Sequence, residues 1–119
     1  MDGISAYKQN SILSQSKEGL IVLLYDGAIK FLRQAIEAIE NKDHEKKAKF
    51  ISKAVDIICE LDCCLDTEAG GEIAFNLRRL YDFMRRELLA ASAKMDPQRV
   101  RDVIACLEDL NEGWKAVTG

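Results

Sequence analysis

One histidine, one proline and one tryptophan are all that the 119 residues contain of those types, and each scarcity excludes something. The lone histidine, His44, stands beside Asp43 and Glu45. Without a glycine-rich phosphate loop or a nucleophile paired with a base, the chain offers no catalytic constellation. A phosphotransfer bundle is the enzyme-class competitor, but that chemistry wants an exposed histidine held within a helix, and His44 reads as a surface residue near a helix start. One proline and seven glycines interrupt the chain rarely, which suits long helices and leaves little room for a many-stranded sheet.

Long apolar runs are also missing. The longest, Leu20 to Tyr25, is six residues, far short of the ~20 that cross a bilayer as a helix. Met1 to Tyr7 has neither a basic leader nor a following apolar stretch, so a cytoplasmic protein with no membrane insertion is expected. No strong charge of one sign is present either: 17 basic residues stand against 20 acidic ones, interleaved along the chain, and nucleic acid is not an expected partner. The basic cluster Lys42, Lys46, Lys47, Lys49 and Lys53 reads as a solvated helix face, with Glu45 and Lys49 spaced as an i,i+4 pair.

Four cysteines contain no CxxC. Cys59, Cys63 and Cys106 would still lack a fourth ligand for zinc, so free thiols acting as small buried hydrophobes are expected, with no cofactor. Asp62 and Asp66, at i,i+4, read as solvated surface.

What is present is helical periodicity broken at three places. Residues 1–15 form a weakly patterned N-terminal arm, and residues 16–119 the bundle. Ser16 is the expected N-cap of a first helix reaching about Asn41, with Ile21, Leu24, Ala28, Leu32, Ala35 and Ile39 facing inward. Asp43 caps a second, whose inward stripe is Phe50, Ala54, Ile57, Ile58, Leu61 and Leu65. The segment from Asp66 to Gly71 separates it from a third helix over about Gly71 to Ala93, because adjacent glycines cost a helix interior about 1 kcal/mol each. Its stripe is Ile73, Leu77, Leu80, Tyr81, Met84 and Leu88. Asp96-Pro97 starts the fourth, with Val100, Val103, Ile104, Leu107, Leu110 and Trp114 inward. Short connections between long helices predict an all-α, antiparallel, up-down-up-down four-helix bundle.

The apolar pattern exceeds what such a bundle needs. A bundle helix requires an inward face about three residues in seven wide, yet Leu20 to Tyr25 encircle theirs. Ile57, Ile58, Cys59, Leu61, Cys63, Cys64 and Leu65 make a second broad stripe. Neighbouring helices and the arm can bury this surface, or it can form a groove for helices of another protein. Both readings remain open on periodicity alone.

Ala6-Tyr7 in the arm, Leu23-Leu24-Tyr25-Asp26-Gly27-Ala28 in the first helix and Gly70-Gly71-Glu72-Ile73-Ala74 entering the third occur in an informative order. Leu80-Tyr81-Asp82 and the segment Leu110 to Trp114 follow. This set, spread over nearly the whole chain, resembles the FliS family of flagellar export chaperones. Family members often carry proline where this chain has Lys17, and the cysteine-rich stretch is unusual. The resemblance implies a non-enzymatic chaperone that binds the disordered, helix-forming C-terminal region of flagellin, prevents early polymerisation and serves the flagellar export gate. It places Ile4 and Tyr7 in an arm that moves when client binds, Tyr25 and Asp26 at a groove edge, and Ile58, Leu61, Leu65, Leu77 and Tyr81 in the groove. A helical adaptor that has changed its client is the alternative.

Overall fold

The computed structural model describes residues 17–118, and these form four helices: α1 (Lys17–Glu40), α2 (His44–Cys63), α3 (Thr67–Lys94) and α4 (Pro97–Thr118). Ser16, Ile4 and Tyr7 lie outside the described residues, so the proposed first cap and the arm do too. At the end of α1 the chain reverses within three residues, where Lys42 takes a positive φ and the Asp43 amide returns to the Ala38 carbonyl at 2.8 Å. Asp43 then starts α2 as expected, its carboxylate accepting from the Lys46 amide at 3.0 Å.

The α2–α3 connection departs from expectation. Asp66 caps a helical turn that starts at Thr67 by accepting from the amides of Glu68 and Ala69 at 3.1 and 3.0 Å. Gly71, with φ +52° and ψ −126°, is not helical, so this short segment meets the long body of α3 across a kink at the glycine pair, where a break is expected. A strong side-chain cap satisfies amides that would otherwise be bare, and this offsets the low helix propensity of Gly70-Gly71. At the far end Met95 turns left-handed, and the Asp96 amide bonds the Ala91 carbonyl at 3.0 Å. Asp96 accepts from the Gln98 amide at 3.0 Å, with Pro97 at the first helical position, where no donor is needed.

Around the bundle α1 packs on α2 and α4, and α3 packs on the same two, while the diagonal pairs α1–α3 and α2–α4 bring no Cα atoms within 8 Å of each other among the described residues. This ring of sequence neighbours is the up-down-up-down arrangement. Its core is one apolar cluster that includes Leu24, Leu32, Ile57, Ile58, Met84, Leu88, Val103 and Leu107. The ends of the predicted stripes are less enclosed: Ile21, Phe50, Leu65, Leu77, Leu80, Leu110 and Trp114 are half-buried, and Ile73 is 73% exposed.

Three surface readings are corrected. Lys47 is buried, not part of a solvated face, because its ammonium reaches the Ser92 carbonyl at 2.9 Å. Cys59, Cys63 and Cys64 are exposed free thiols and Cys106 half-buried; the broad α2 stripe turns more of itself outward than the four helices can cover. Asp62 is half-buried and pairs with Arg78 at 3.2 Å and Arg85 at 3.6 Å, tying α2 to α3.

Candidate docking pocket

Part of the surplus apolar surface lies at one end of the bundle, where α1 begins, α2 ends, α3 begins and α4 ends, while Phe83 and Leu89 are exposed farther along α3. A pocket of about 390 Å³ opens there. Leu61, Leu65, Ile73, Leu77, Tyr81 and Trp114 give it apolar walls, with Ile21 on the α1 side and Glu18 and Asp66 as acidic members.

The glycine pair shapes one wall. A Cβ on Gly70 would lie 2.8 Å from the Ala74 Cβ, so the first turn of α3 closes over Ala74 only because residue 70 has no side chain. Gly71 takes a positive φ that side chains rarely adopt. The kink thereby brings Ala69 and Gly70 to the same pocket as Ile73 and Ala74. Ile21, Leu65, Leu77 and Trp114 pack against the core at this end but are only partly covered. Ile73 is the clearest case, since a mostly exposed isoleucine beside a pocket gains only when something covers it.

Beneath the walls is a polar contact. The Tyr25 and Tyr81 hydroxyls are 2.5 Å apart in a hydrogen bond between α1 and α3. Both tyrosine rings are buried. Burial, which disfavours the phenolate, is the main cause that pushes both hydroxyls above the usual tyrosine pKa. The neighbouring Tyr81 hydroxyl and Trp114 indole work the other way at Tyr25, whereas at Tyr81 the Tyr25 neighbour adds to the rise. Both groups are neutral, so the pair is a hydrogen-bonding device and not an acid–base one.

The predicted site residues divide into three places. Leu61, Leu65, Leu77 and Tyr81 meet around the pocket. Ile58 is fully buried in the core, since it points to the bundle axis one turn before Leu61. Tyr25 is also fully buried and lies beneath the surface, not at a groove edge. Asp26 belongs elsewhere: it accepts from Asn111 Nδ2 at 2.8 Å and pairs with Lys115 at 3.6 Å in a polar cleft between α1 and α4. Sequence reasoning assigned Ile21, Ile73 and Trp114 to the core alone. The signal that could have moved them was position, since each sits at the terminal end of its stripe, where a bundle has fewest neighbours.

Among the described residues, no helix is long and apolar enough to cross a membrane. Nor does any group of three histidine, cysteine or acidic side chains gather there as a metal site.

A family model described as "Flagellar protein FliS" matches residues 1–119. The chain is 40% identical to the flagellar secretion chaperone FliS of Salmonella typhimurium, over 98% of this chain and 90% of that one. It is 36% identical to FliS of Bacillus subtilis, over 93% and 82%, and 36% identical to flagellar secretion chaperone FliSB of Pseudomonas aeruginosa, over 99% and 97%.

Proposed function

The chain belongs to the FliS family of flagellar secretion chaperones, and from that premise we propose that its end pocket holds part of the C-terminal region of flagellin. The protein acts in the cytoplasm as a non-enzymatic binder. It covers client surface that would otherwise self-associate, and presents the client to the flagellar export gate. The observation that carries this reading is the pocket itself: Leu65, Leu77, Ile73 and Trp114 leave apolar surface open at one end of a bundle whose remaining core is closed.

A helix-forming, disordered client suits that surface. Each leucine or isoleucine side chain it inserts contributes about 1.5–3 kcal/mol of burial, and part of that offsets the cost of ordering the segment. Client contact is assigned to Leu61, Leu65, Leu77 and Tyr81 from the sequence reading, with Ile21, Ile73 and Trp114 added by their place on the walls. The arm, with Ile4 and Tyr7, precedes Lys17 in the sequence, and α1 begins at this end of the bundle. It is the natural cover for the pocket while no client is bound, and its displacement lowers apparent client affinity by the fraction of time it is in place.

Titrating a purified flagellin C-terminal fragment into the protein by calorimetry tests the reading. A saturable complex with a negative heat-capacity change is expected, the mark of apolar burial. Absence of a complex at roughly tens of micromolar sinks it. If another protein replaces flagellin as the dominant saturable partner, the adaptor alternative holds instead.

A further inference from the structure

The charged side chains described at the pocket are all of one sign. Glu18, in the first turn of α1, and Asp66, directly before α3, both line it, and no lysine, arginine or histidine stands among its lining residues. Glu68 and Glu72, exposed on α3 just beyond Asp66, add to the same sign. None of these four carboxylates joins an ion pair among the described residues. By contrast Arg78, beside Leu77, pairs with Asp62, and Lys115, beside Trp114, pairs with Asp26. Helix dipoles do not reverse the sign. Antiparallel packing brings two helix starts, α1 and α3, and two helix ends, α2 and α4, to this end of the bundle, so their partial charges largely offset one another.

Apolar walls and acidic members make different demands on whatever covers the pocket. Ile73, Leu65, Leu77 and Trp114 gain from any apolar side chain laid against them. Glu18 does not: it is already half-buried, and a purely apolar cover would take its charge further from water without supplying a partner, which is costly. An acidic residue in the same place would be repelled. A lysine or arginine avoids both penalties, because its apolar stem lies along the pocket wall while its charged head meets the carboxylate.

We propose that the pocket selects its client by charge as well as by apolar fit: the bound segment of flagellin carries a lysine or arginine about one helical turn from an apolar anchor, and Glu18 and Asp66 hold it. This rests on the client-binding reading above and adds what the client must present. Asp66 serves two purposes. Its Oδ1 accepts from the Glu68 and Ala69 amides, which leaves Oδ2 for the client. Glu18 has no such duty among the described residues and is the main specificity-determining residue of the two.

The test is a calorimetric titration of the flagellin C-terminal fragment into wild type and the double variant Glu18→Gln/Asp66→Asn, at about 0.05 and 0.5 M salt. Asparagine caps a helix start about as well as aspartate, so the variant loses charge and keeps its turn. Wild-type affinity should fall with salt. The double variant should bind about 3- to 10-fold more weakly at the lower salt, with most of the salt dependence gone. Glu37→Gln/Glu45→Gln removes two exposed charges at the far end of the bundle, controls for net charge and should bind within about twofold of wild type. Replacing the fragment's lysines and arginines by glutamine should weaken binding to wild type more than binding to Glu18→Gln/Asp66→Asn, a coupling that a loss of stability does not produce. Equal affinity of wild type and Glu18→Gln/Asp66→Asn at low salt, or equal losses in the two double variants, overturns selection by charge and leaves apolar docking intact. Wild-type protein that forms no complex at either salt overturns both.

Discussion

Lys47 in the first turn of α2 donates its ammonium to the carbonyl oxygen of Ser92 in the last turn of α3, at 2.9 Å. The carbonyls of a final helical turn have no partner within the helix, and a cation there also meets the negative end of the helix dipole. The apolar stem of the lysine is buried, so the contact fastens two helices at the end of the bundle opposite the pocket. Lys47→Met keeps the stem and removes the donor. It should lower unfolding free energy by about 1–2 kcal/mol and the melting temperature by roughly 4–12 °C, with helix content at low temperature unchanged. Urea denaturation followed by circular dichroism measures this, and an unchanged midpoint contradicts the clamp.

Core and pocket residues of the same chemical type should separate cleanly under mutation. Ile73 is 73% exposed and Ile58 fully buried, although both lie in predicted apolar stripes. Ile73→Ser should change stability by less than about 0.5 kcal/mol while weakening flagellin-fragment binding. Ile58→Ala should cost about 2–5 kcal/mol of stability through the cavity it leaves. Parallel denaturation and titration of the two variants decide the matter. If Ile73→Ser binds as tightly as wild type, the wall that it forms is not a client surface.

Much of the bundle was legible because caps and periodicity are local. Asp43 and Asp96-Pro97 act where their residue types say they should, and Leu24, Ile57, Leu88 and Val103 fall in the core as their spacing predicts. The break at the glycine pair is where the sequence places it, at Gly71, but the helical turn before it was missed, because glycine propensity is a weak prior and the Asp66 cap outweighs it there. Periodicity also says which face of a helix is apolar without saying how far along the axis a neighbour covers it. Tyr25 therefore looked like a groove edge and is core, whereas Ile73 looked like core and is mostly exposed. Lys47 shows the same limit for charge: the partner that buries it lies 45 residues away, beyond any spacing rule.

Gly71 carries the backbone strain of the pocket wall. With φ +52° and ψ −126° it occupies a region open to glycine and costly for other residues, by about 1–3 kcal/mol. Gly71→Ala should lower stability by that amount even though nothing lies within 4 Å of the added methyl. Gly70→Ala acts differently, through collision with Ala74 at 2.8 Å. It should shift the first turn of α3 and weaken client binding more than Gly71→Ala at equal loss of stability. Thermal melts paired with titrations distinguish the two, and a fully stable Gly71→Ala would mean that the kink is not required.

Deleting residues 1–15 should alter client affinity more than helix content. The core cluster draws on all four described helices, and the arm is proposed only to cover the pocket. If cover and client compete, removal raises affinity by the factor that the closed population imposed. Circular dichroism of the truncated protein together with a fragment titration checks both. Equal loss of helix content and binding would make the arm a structural part of the bundle.

The buried tyrosine pair predicts an alkaline weakness with a definite sign. Tyr25 and Tyr81 both hold their protons above the ordinary value of 10.0, chiefly because burial disfavours the phenolate. In the unfolded chain tyrosines ionise near pH ~10, so above that pH the folded state binds more protons than the unfolded state. Unfolding free energy then falls as pH rises. The contribution is fully present below about pH 9 and is lost upward through pH ~10 and beyond, with a limiting slope of about 1.4 kcal/mol per pH unit for each tyrosine. Cys106, also raised by burial, adds in the same direction. Tyr25→Phe removes one of the two tyrosines and should show a shallower decline between about pH 9.5 and 11, even though it is less stable at neutral pH. Urea unfolding of both proteins across that range measures the difference, and identical slopes would show that Tyr25 is not held protonated by the fold.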